Sequence, residues 1–297
     1  MSEKFDHFLQ RAESLVARLD ALLPSPNQAP IAAPDWAAST AFRYRKRASS
    51  VWATGWLEPV RHVAPMAFAD LKEVDTQKER FERNLAQFVA GRTANNVLLS
   101  GARGTGKSSL VKAGLQAFAP QGLRLIEVDK TDLIDLPDLV ELVSTRPERF
   151  IVFCDDLSFD EGEPGYKALK SILDGTVSAS GDNVMIIATS NRRHLLPEYH
   201  SDNKTYKRAD DGELHPGEVV EEKISLSERF GLWISFYPFT QDEYLAIVAQ
   251  WLAHFAVPAA AIEAARPEAL VWALERGSRS GRVAYQFARD YSGRDHV

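Results

Sequence analysis

The sequence predicts an α/β protein: a parallel sheet with helices on both faces, followed by a C-terminal helical lid and preceded by an N-terminal helical extension. Three observations predict it. Between residues 96 and 190, short apolar runs alternate with segments of helical periodicity, and strands that alternate with helices pair in parallel. The runs themselves ("NVLLS", "RFIVFC", "NVMIIATS") are apolar nearly throughout, as strands covered on both faces are. From Thr240 onward only helical spacing remains, in "QDEYLAIVAQWLAHF", "PEALVWALERG" and "SGRVAYQFARDY".

The elements follow in order. Phe5, Phe8, Leu9, Ala12, Leu15, Val16, Leu19, Leu22 and Leu23 form one apolar stripe on a first helix. Prolines between Pro24 and Pro34 end it, so it stands apart from the body. It either folds back on its own core, the preferred reading, or packs on a partner. Residues 36 to 62 place Trp36, Phe42, Tyr44, Trp52 and Trp56 around the basic run Arg43 to Arg47. Interleaved aromatics and cations can clamp nucleic acid; the preferred reading is that the rings pack and the cations stay in water. "TQKERFERNLAQFVAG" is a helix with Phe81, Leu85, Phe88 and Val89 on one face and Gly91 as its stop. Strands are expected at "NVLLS", "LRLIEVD", "RFIVFCDD", "NVMIIATSN" and "GLWISFY", and helices at Leu110 to Phe118, "LPDLVELVST" and "YKALKSILDG". Residues 197 to 223 break the rhythm and read as an exposed insertion. The expected division is 1–64 for the N-terminal region, 65–239 for the α/β core and 240–297 for the lid.

Composition narrows the function classes. A chain of 297 residues with 45% hydrophobic residues can bury a sizeable core. Its net charge of -6 excludes a chain-wide electrostatic nucleic-acid binder and leaves room only for a local basic patch. The single cysteine, Cys154, allows no intrachain disulfide and fits a reducing compartment. No apolar run reaches membrane-spanning length and the N-terminus lacks a signal-peptide pattern, so a cytoplasmic protein without membrane partners is expected.

"LLSGARGTGKSSLVKAGL" carries the strongest signal. Gly101, Gly106, Lys107 and Ser108 complete G-x-x-x-x-G-K-[ST], with a strand before and a helix after. Glycines let backbone wrap close to phosphate, and the N–H groups of the loop and the helix start point at the anion. The loop Gly101, Ala102, Arg103, Gly104, Thr105, Gly106, Lys107, Ser108 and Ser109 is the expected nucleotide-binding segment. Lys107 is expected at the β- and γ-phosphates and the Ser108 hydroxyl on Mg²⁺. At the end of "RFIVFCDD", Asp155 is assigned to the metal and Asp156 to the attacking water. ATP and Mg²⁺ are the cofactors implied. The seven histidines show no metal spacing.

With those motifs in order, the chain resembles the AAA+ ATPases, over roughly residues 65 to 293. "IIATSNRR" is similar to the sensor-1 strand, which implies Asn191 between the second acidic residue and the γ-phosphate; a helix cap is the other reading of that side chain. "SLSERFGLWISF" resembles the segment that carries the arginine finger, which implies that Arg229 acts on a neighbour's ATP and that activity requires a homo-oligomer. "SRSGRVAYQFA" resembles the sensor-2 helix, which implies Arg282 facing the nucleotide. Arg229 as a surface ion-pair partner and Arg282 as an ordinary lid arginine are the competing readings. The narrower resemblance, carried by "ANNVLLSGARGTGKSSLVKA", "CDDLSF", "ATSNRRHLLPE" and "LSERFGLWISFYPF", is to a bacterial AAA+ family described only as a domain of unknown function. Asp155-Asp156 departs from the usual Asp-Glu of the superfamily.

Two functions therefore fit the sequence. One is an ATPase that hydrolyses ATP at a subunit interface to change the conformation or assembly of a protein client. The other is an ATP-gated switch or adaptor of the helicase-loader kind, slow or without hydrolysis, favoured by Asp-Asp, by segment 42–56 and by the detached first helix. A small-molecule kinase would leave the helical C-terminus unexplained.

Overall fold

The computed structural model describes residues 31–48, 53–159, 163–175, 182–191 and 226–294, with short pieces elsewhere. Ten strands occur among them: β1 (Ile31–Ala32), β2 (Ala41–Ala48), β3 (Ala53–Pro59), β4 (Val97–Gly101), β5 (Leu123–Glu127), β6 (Arg149–Cys154), β7 (Val184–Ser190), β8 (Lys207–Arg208), β9 (Leu214–His215) and β10 (Leu232–Phe236). Among the described residues the principal α-helices are α1 (Asp75–Val89), α2 (Lys107–Phe118), α3 (Leu136–Ser144), α4 (Pro164–Asp174), α5 (Gln241–His254), α6 (Ala259–Ala264), α7 (Arg266–Glu275) and α8 (Gly281–Ser292).

Eight strands form one sheet in the order β1-β3-β2-β5-β6-β7-β4-β10. Every neighbouring pair in it is parallel except β2–β3. The strand that leads into the glycine loop, β4, lies between β7 and β10, and β6 sits next to β7. Three strands that carry candidate site residues therefore stand side by side, with their C-terminal ends on one edge. That edge is where open α/β sheets collect ligand chemistry.

The apolar runs behave as their composition requires. Val97, Leu98 and Leu99 of β4 and Phe150, Ile151 and Val152 of β6 are fully buried, with successive side chains in opposite layers of the core. One layer packs α1, α2 and the lid helices onto the sheet; the other packs α3 and α4. Helix α1 buries Phe81, Leu85 and Phe88, and its chain turns at Gly91, whose N–H donates to Phe88 O at 3.0 Å. In α5, the Thr240 hydroxyl accepts from Glu243 N at 3.3 Å and the Glu243 carboxylate accepts from Thr240 N at 2.7 Å, a reciprocal N-terminal cap.

The basic, aromatic segment is a hairpin of that same sheet. β2 pairs in parallel with β5 and antiparallel with β3, and β3 in parallel with β1, so these three strands extend the sheet beyond the boundary drawn at 64/65. Trp36, Phe42 and Tyr44 are buried; Trp36 meets Phe42 and Phe150 edge-on, each at 5.0 Å. The cations lie at the surface against carboxylates: Arg43 on Glu127, Arg45 on Glu58 and Lys46 on Asp135. Packing of the rings is the arrangement observed; Trp52 lies outside the described residues.

The apolar stripe of the first helix also lies outside the described residues, as does the insertion apart from the antiparallel pair β8–β9. No described helix is long and apolar enough to cross a membrane.

Candidate functional site

The glycine loop wraps around its own lysine. Gly101 ends β4 at φ 118, and a Cβ there would lie 1.9 Å from Phe236 O, so the loop leaves the sheet against β10 only because that position has no side chain. Ala102 N then donates to Phe236 O at 3.0 Å, and the Thr105 hydroxyl closes the turn onto Ala102 O at 2.8 Å. Gly106 caps α2 at φ 98, leaving the first N–H groups of α2 directed into the turn. Lys107, buried, donates from Nζ to Gly101 O at 2.9 Å, to Ala102 O at 2.6 Å and to Asn191 Oδ1 at 3.1 Å. Burial holds its pKa below the ordinary lysine value, against the pull of Asp155 and Asp156, while the positive charges of Arg103 and Arg282 lower it further.

The acidic strand end faces this lysine. Ser108 Oγ donates to Asp155 Oδ1 at 2.6 Å, which joins the start of α2 to the end of β6. Thr189 Oγ1 donates to the same Asp155 oxygen at 2.6 Å and accepts from Asp156 N at 2.8 Å. Asp156 has φ 51, a left-handed backbone that an aspartate tolerates better than most residues but that still costs energy. Asn191 Nδ2 donates to Asp156 Oδ1 at 2.5 Å while its own oxygen accepts from Lys107, so one amide bridges the lysine and the second carboxylate.

The lid closes the other side. Gly281 N, the first amide of α8, donates to Gly104 O at 2.8 Å, and a Cβ on Gly104 would sit 2.9 Å from Ser280 Oγ. Arg282 follows immediately and lines the cleft with Arg103, Lys107, Ser108, Asp155, Asp156 and Asn191. The cleft measures about 990 Å³ and extends past Leu71 and Val74 to Trp251 and Tyr285 of the lid. Trp251 and Tyr285 meet edge-on at 4.8 Å. Gln250 Nε2 donates to Asp70 O at 3.0 Å, tying the lid to the segment ahead of α1.

The candidate site residues from Arg103 to Ser109, with Asp155, Asp156, Asn191 and Arg282, thus gather in one cleft; Gly101 and Ala102 lie just behind it, where their carbonyls accept from Lys107, and Arg229 lies away from it. Arg229, in the turn before β10, does not line the cleft; its Nε donates to Asp174 Oδ1 at the end of α4. Sequence reasoning misses Thr189, which stands between Ala188 and Ser190 at the end of the strand and carries no local signal of its own. The lid side of the cleft, Trp251 and Tyr285, has no local signal, since each reads as one more aromatic of an amphipathic helix.

Ser108, Thr189 and Asp155 present oxygen donors only, the chemistry that Mg²⁺ takes. Among the described residues no cluster of three or more His, Cys, Asp or Glu offers another metal site.

The sheet order, the glycine loop, the acidic strand and the helical lid together define a P-loop α/β fold of the AAA+ class. A solved structure agrees: a point mutant of Thermotoga maritima RuvB superposes with a TM-score of 0.51 at 15% identity, over 76% of this chain and 64% of that one. The replication initiator DnaA bound to AMPPCP and single-stranded DNA gives a TM-score of 0.48 at 13% identity, over 78% of this chain and 63% of that one. The chain therefore spans less than two thirds of either structure. Within that class the chain belongs to the family described as protein of unknown function (DUF815), which it matches over residues 37–295. That span takes in β2 and β3, so the hairpin is inside the family region. No curated protein matches the chain.

Proposed function

We infer that this chain binds ATP between the sheet and the lid and hydrolyses it in an oligomer, using the reaction to change the assembly or conformation of a protein client. The single observation that carries the reading is the Asn191 bridge: one amide touches both Lys107 and Asp156, beside the Ser108–Asp155 contact. In this reading the amides of residues 102–109 and the Lys107 ammonium hold the phosphates. Ser108 and Asp155 would hold Mg²⁺, which supplies charge neutralisation at the phosphate oxygens. Asp156 and Asn191 orient the attacking water. Arg282, on the helix that starts against Gly104, couples the phosphates to the lid.

Arg229 takes the finger role in trans. Its place outside its own chain's cleft is what a residue serving a neighbour's ATP requires. A guanidinium at a transferred phosphoryl group is worth about 10³–10⁵ in rate. The test is phosphate release per subunit against protein concentration, with Lys107→Ala as the control without bound nucleotide. The rate per subunit rises as the protein associates. Normal turnover by assembled Arg229→Ala would remove the finger assignment, and no phosphate release by the wild-type chain at any concentration would remove the ATPase reading.

A second reading, an ATP-gated switch with slow or no hydrolysis, is favoured by Asp156 itself. Its carboxylate is one methylene shorter than a glutamate's and its backbone is held left-handed. Tight ATP-dependent assembly with negligible phosphate release in single-turnover measurements selects this reading. A nucleic-acid partner would have to use the exposed face of the β2–β3 hairpin, where Arg43 and Arg45 are already matched by Glu127 and Glu58. Salt-dependent binding lost on charge reversal at Arg43, Arg45 and Arg47 is the observation required for it. The proposed division is 1–64, 65–239 and 240–297, with β1, β2 and β3 of the first segment contributing to the sheet of the second, and the proposed setting is the cytoplasm.

A further inference from the structure

We propose that Thr189 is a positioning residue of the site, a hydroxyl that orients both carboxylates at once. The proposal rests on the ATPase reading of the cleft and deepens it.

A threonine hydroxyl has one hydrogen to donate and lone pairs to accept with. Thr189 uses both on neighbouring aspartates: the hydrogen goes to Asp155 Oδ1 at 2.6 Å and the oxygen takes the Asp156 N–H at 2.8 Å. The residue's backbone adds a third contact, its carbonyl accepting from Leu157 N at 2.7 Å. One residue of β7 therefore holds three consecutive residues that follow β6. Thr189 is itself 2% exposed, so water does not compete for its hydroxyl.

Each contact has a separate consequence. Asp155 Oδ1 receives two hydrogen bonds, one from Ser108 and one from Thr189, which fixes the carboxylate plane and leaves the second oxygen, Oδ2, outside both bonds. The bond to Asp156 N holds a non-glycine residue at φ 51, a conformation that persists only when its surroundings demand it. With that backbone held, the short Asp156 side chain reaches Asn191. Without it, the turn can relax toward ordinary φ and carry the carboxylate away from the amide that links it to Lys107. Groups that orient metal-binding and catalytic side chains in this way are typically worth about 10–100-fold in metal affinity or activity.

The experiment compares Thr189→Val, Thr189→Ser and Thr189→Ala with the wild-type chain. Valine keeps the buried shape and removes the hydroxyl; serine keeps the hydroxyl and removes a methyl. Two quantities are read: kcat with excess ATP, and the affinity for a fluorescent ATP analogue with and without Mg²⁺. Thr189→Val is expected to keep the Mg²⁺-free affinity within about twofold, because Lys107 and the loop amides are untouched. It is expected to lose most of the affinity gained on adding Mg²⁺ and to lower kcat by about 10–100-fold, with Thr189→Ser restoring both to within a few-fold. If valine perturbs folding, as a melting curve would show, the alanine and serine variants make the same comparison. Wild-type behaviour of Thr189→Val, or a Thr189→Ser variant as impaired as Thr189→Val, overturns the proposal, the latter by showing that packing rather than the hydroxyl matters. A wild-type chain that binds the analogue with Mg²⁺ but releases no phosphate refutes hydrolysis, and the Mg²⁺-dependent affinity still decides Thr189.

Discussion

Replacing Gly104 by alanine tests the contact between the glycine loop and the lid. Gly104 has φ 71, and the added Cβ would lie 2.9 Å from both Cβ and Oγ of Ser280 and 3.4 Å from Cβ of Arg282. Two costs follow. The left-handed backbone costs a residue with a side chain about 1–2 kcal/mol. The crowding against Ser280 then either strains the loop or pushes α8 away. The second outcome also weakens the Gly281 N–H bond to Gly104 O, now 2.8 Å, which is worth about 1 kcal/mol. Overpacking of this kind adds about 1–3 kcal/mol. Gly277 provides the control, since it has φ 60 with nothing within 4 Å of an added Cβ. Gly277→Ala carries only the backbone cost. With a difference of about 1–4 kcal/mol and about 2–4 °C per kcal/mol, Gly104→Ala should melt roughly 2–16 °C below Gly277→Ala. The assay is thermal unfolding of both variants without nucleotide, followed by titration with an ATP analogue. Affinity should fall for Gly104→Ala and not for Gly277→Ala. Equal melting temperatures would show that the lid does not rest on the loop, and the coupling role given to Arg282 would fall with that contact.

Other outcomes follow from the same geometry. Burial pushes the Cys154 thiol up to about 12 from 9.0, and burial pushes the Tyr244 phenol up to about 12 from 10.0. Between those values the unfolded chain releases protons that the folded chain keeps, so stability falls as pH rises above about 9. Melting temperature against pH checks this, and Cys154→Val should delay the onset of the fall toward about 10. At about pH 8 the native thiol should resist alkylation and react only on unfolding. Asp174→Asn removes the charge of a carboxylate partner of Arg229. If that ion pair holds the guanidinium in reserve, the concentration needed for half-maximal phosphate release should drop several-fold, whereas an unchanged concentration dependence means that the pair is only structural. Trp36→Ala should cost about 3–5 kcal/mol, read by denaturant unfolding, because the ring is buried between Phe42 and Phe150. Nucleotide affinity should not follow, since Trp36 lies in the core layer away from the loop.

Much of the site is legible in the sequence because it is local. The glycine spacing and Lys107 lie within a few residues, so the backbone conformations they need are written in consecutive positions. The pair Asp155-Asp156 is legible for the same reason, as a polar stop to an apolar run. Asn191 and Arg282 enter through resemblance, and the structure brings both to the cleft. Thr189 is hard to read because its partners are 33 and 34 residues away, and a lone threonine in an apolar strand has no local pattern to mark it. The hairpin is harder still. Alternating aromatics and cations in 42–45 describe a strand with one buried face as well as a basic patch, and only the burial of Phe42 and Tyr44 in the structure decides between them.

By itself the sequence determined the alternation of strands and helices, the loop that can hold phosphate and the helical C-terminus, because periodicity and glycine placement act over single elements. The tertiary structure decided the rest: that β4, β7 and β6 stand side by side, that α8 of the lid begins on Gly104, and that β1, β2 and β3 complete the sheet. Strand order depends on which apolar faces meet across the whole chain, and hydrophobic runs of similar composition carry no label for their neighbours. The position of Arg229 belongs to the same group. Its number was readable in the sequence, but its absence from its own cleft is a fact of how β10 packs beside β4.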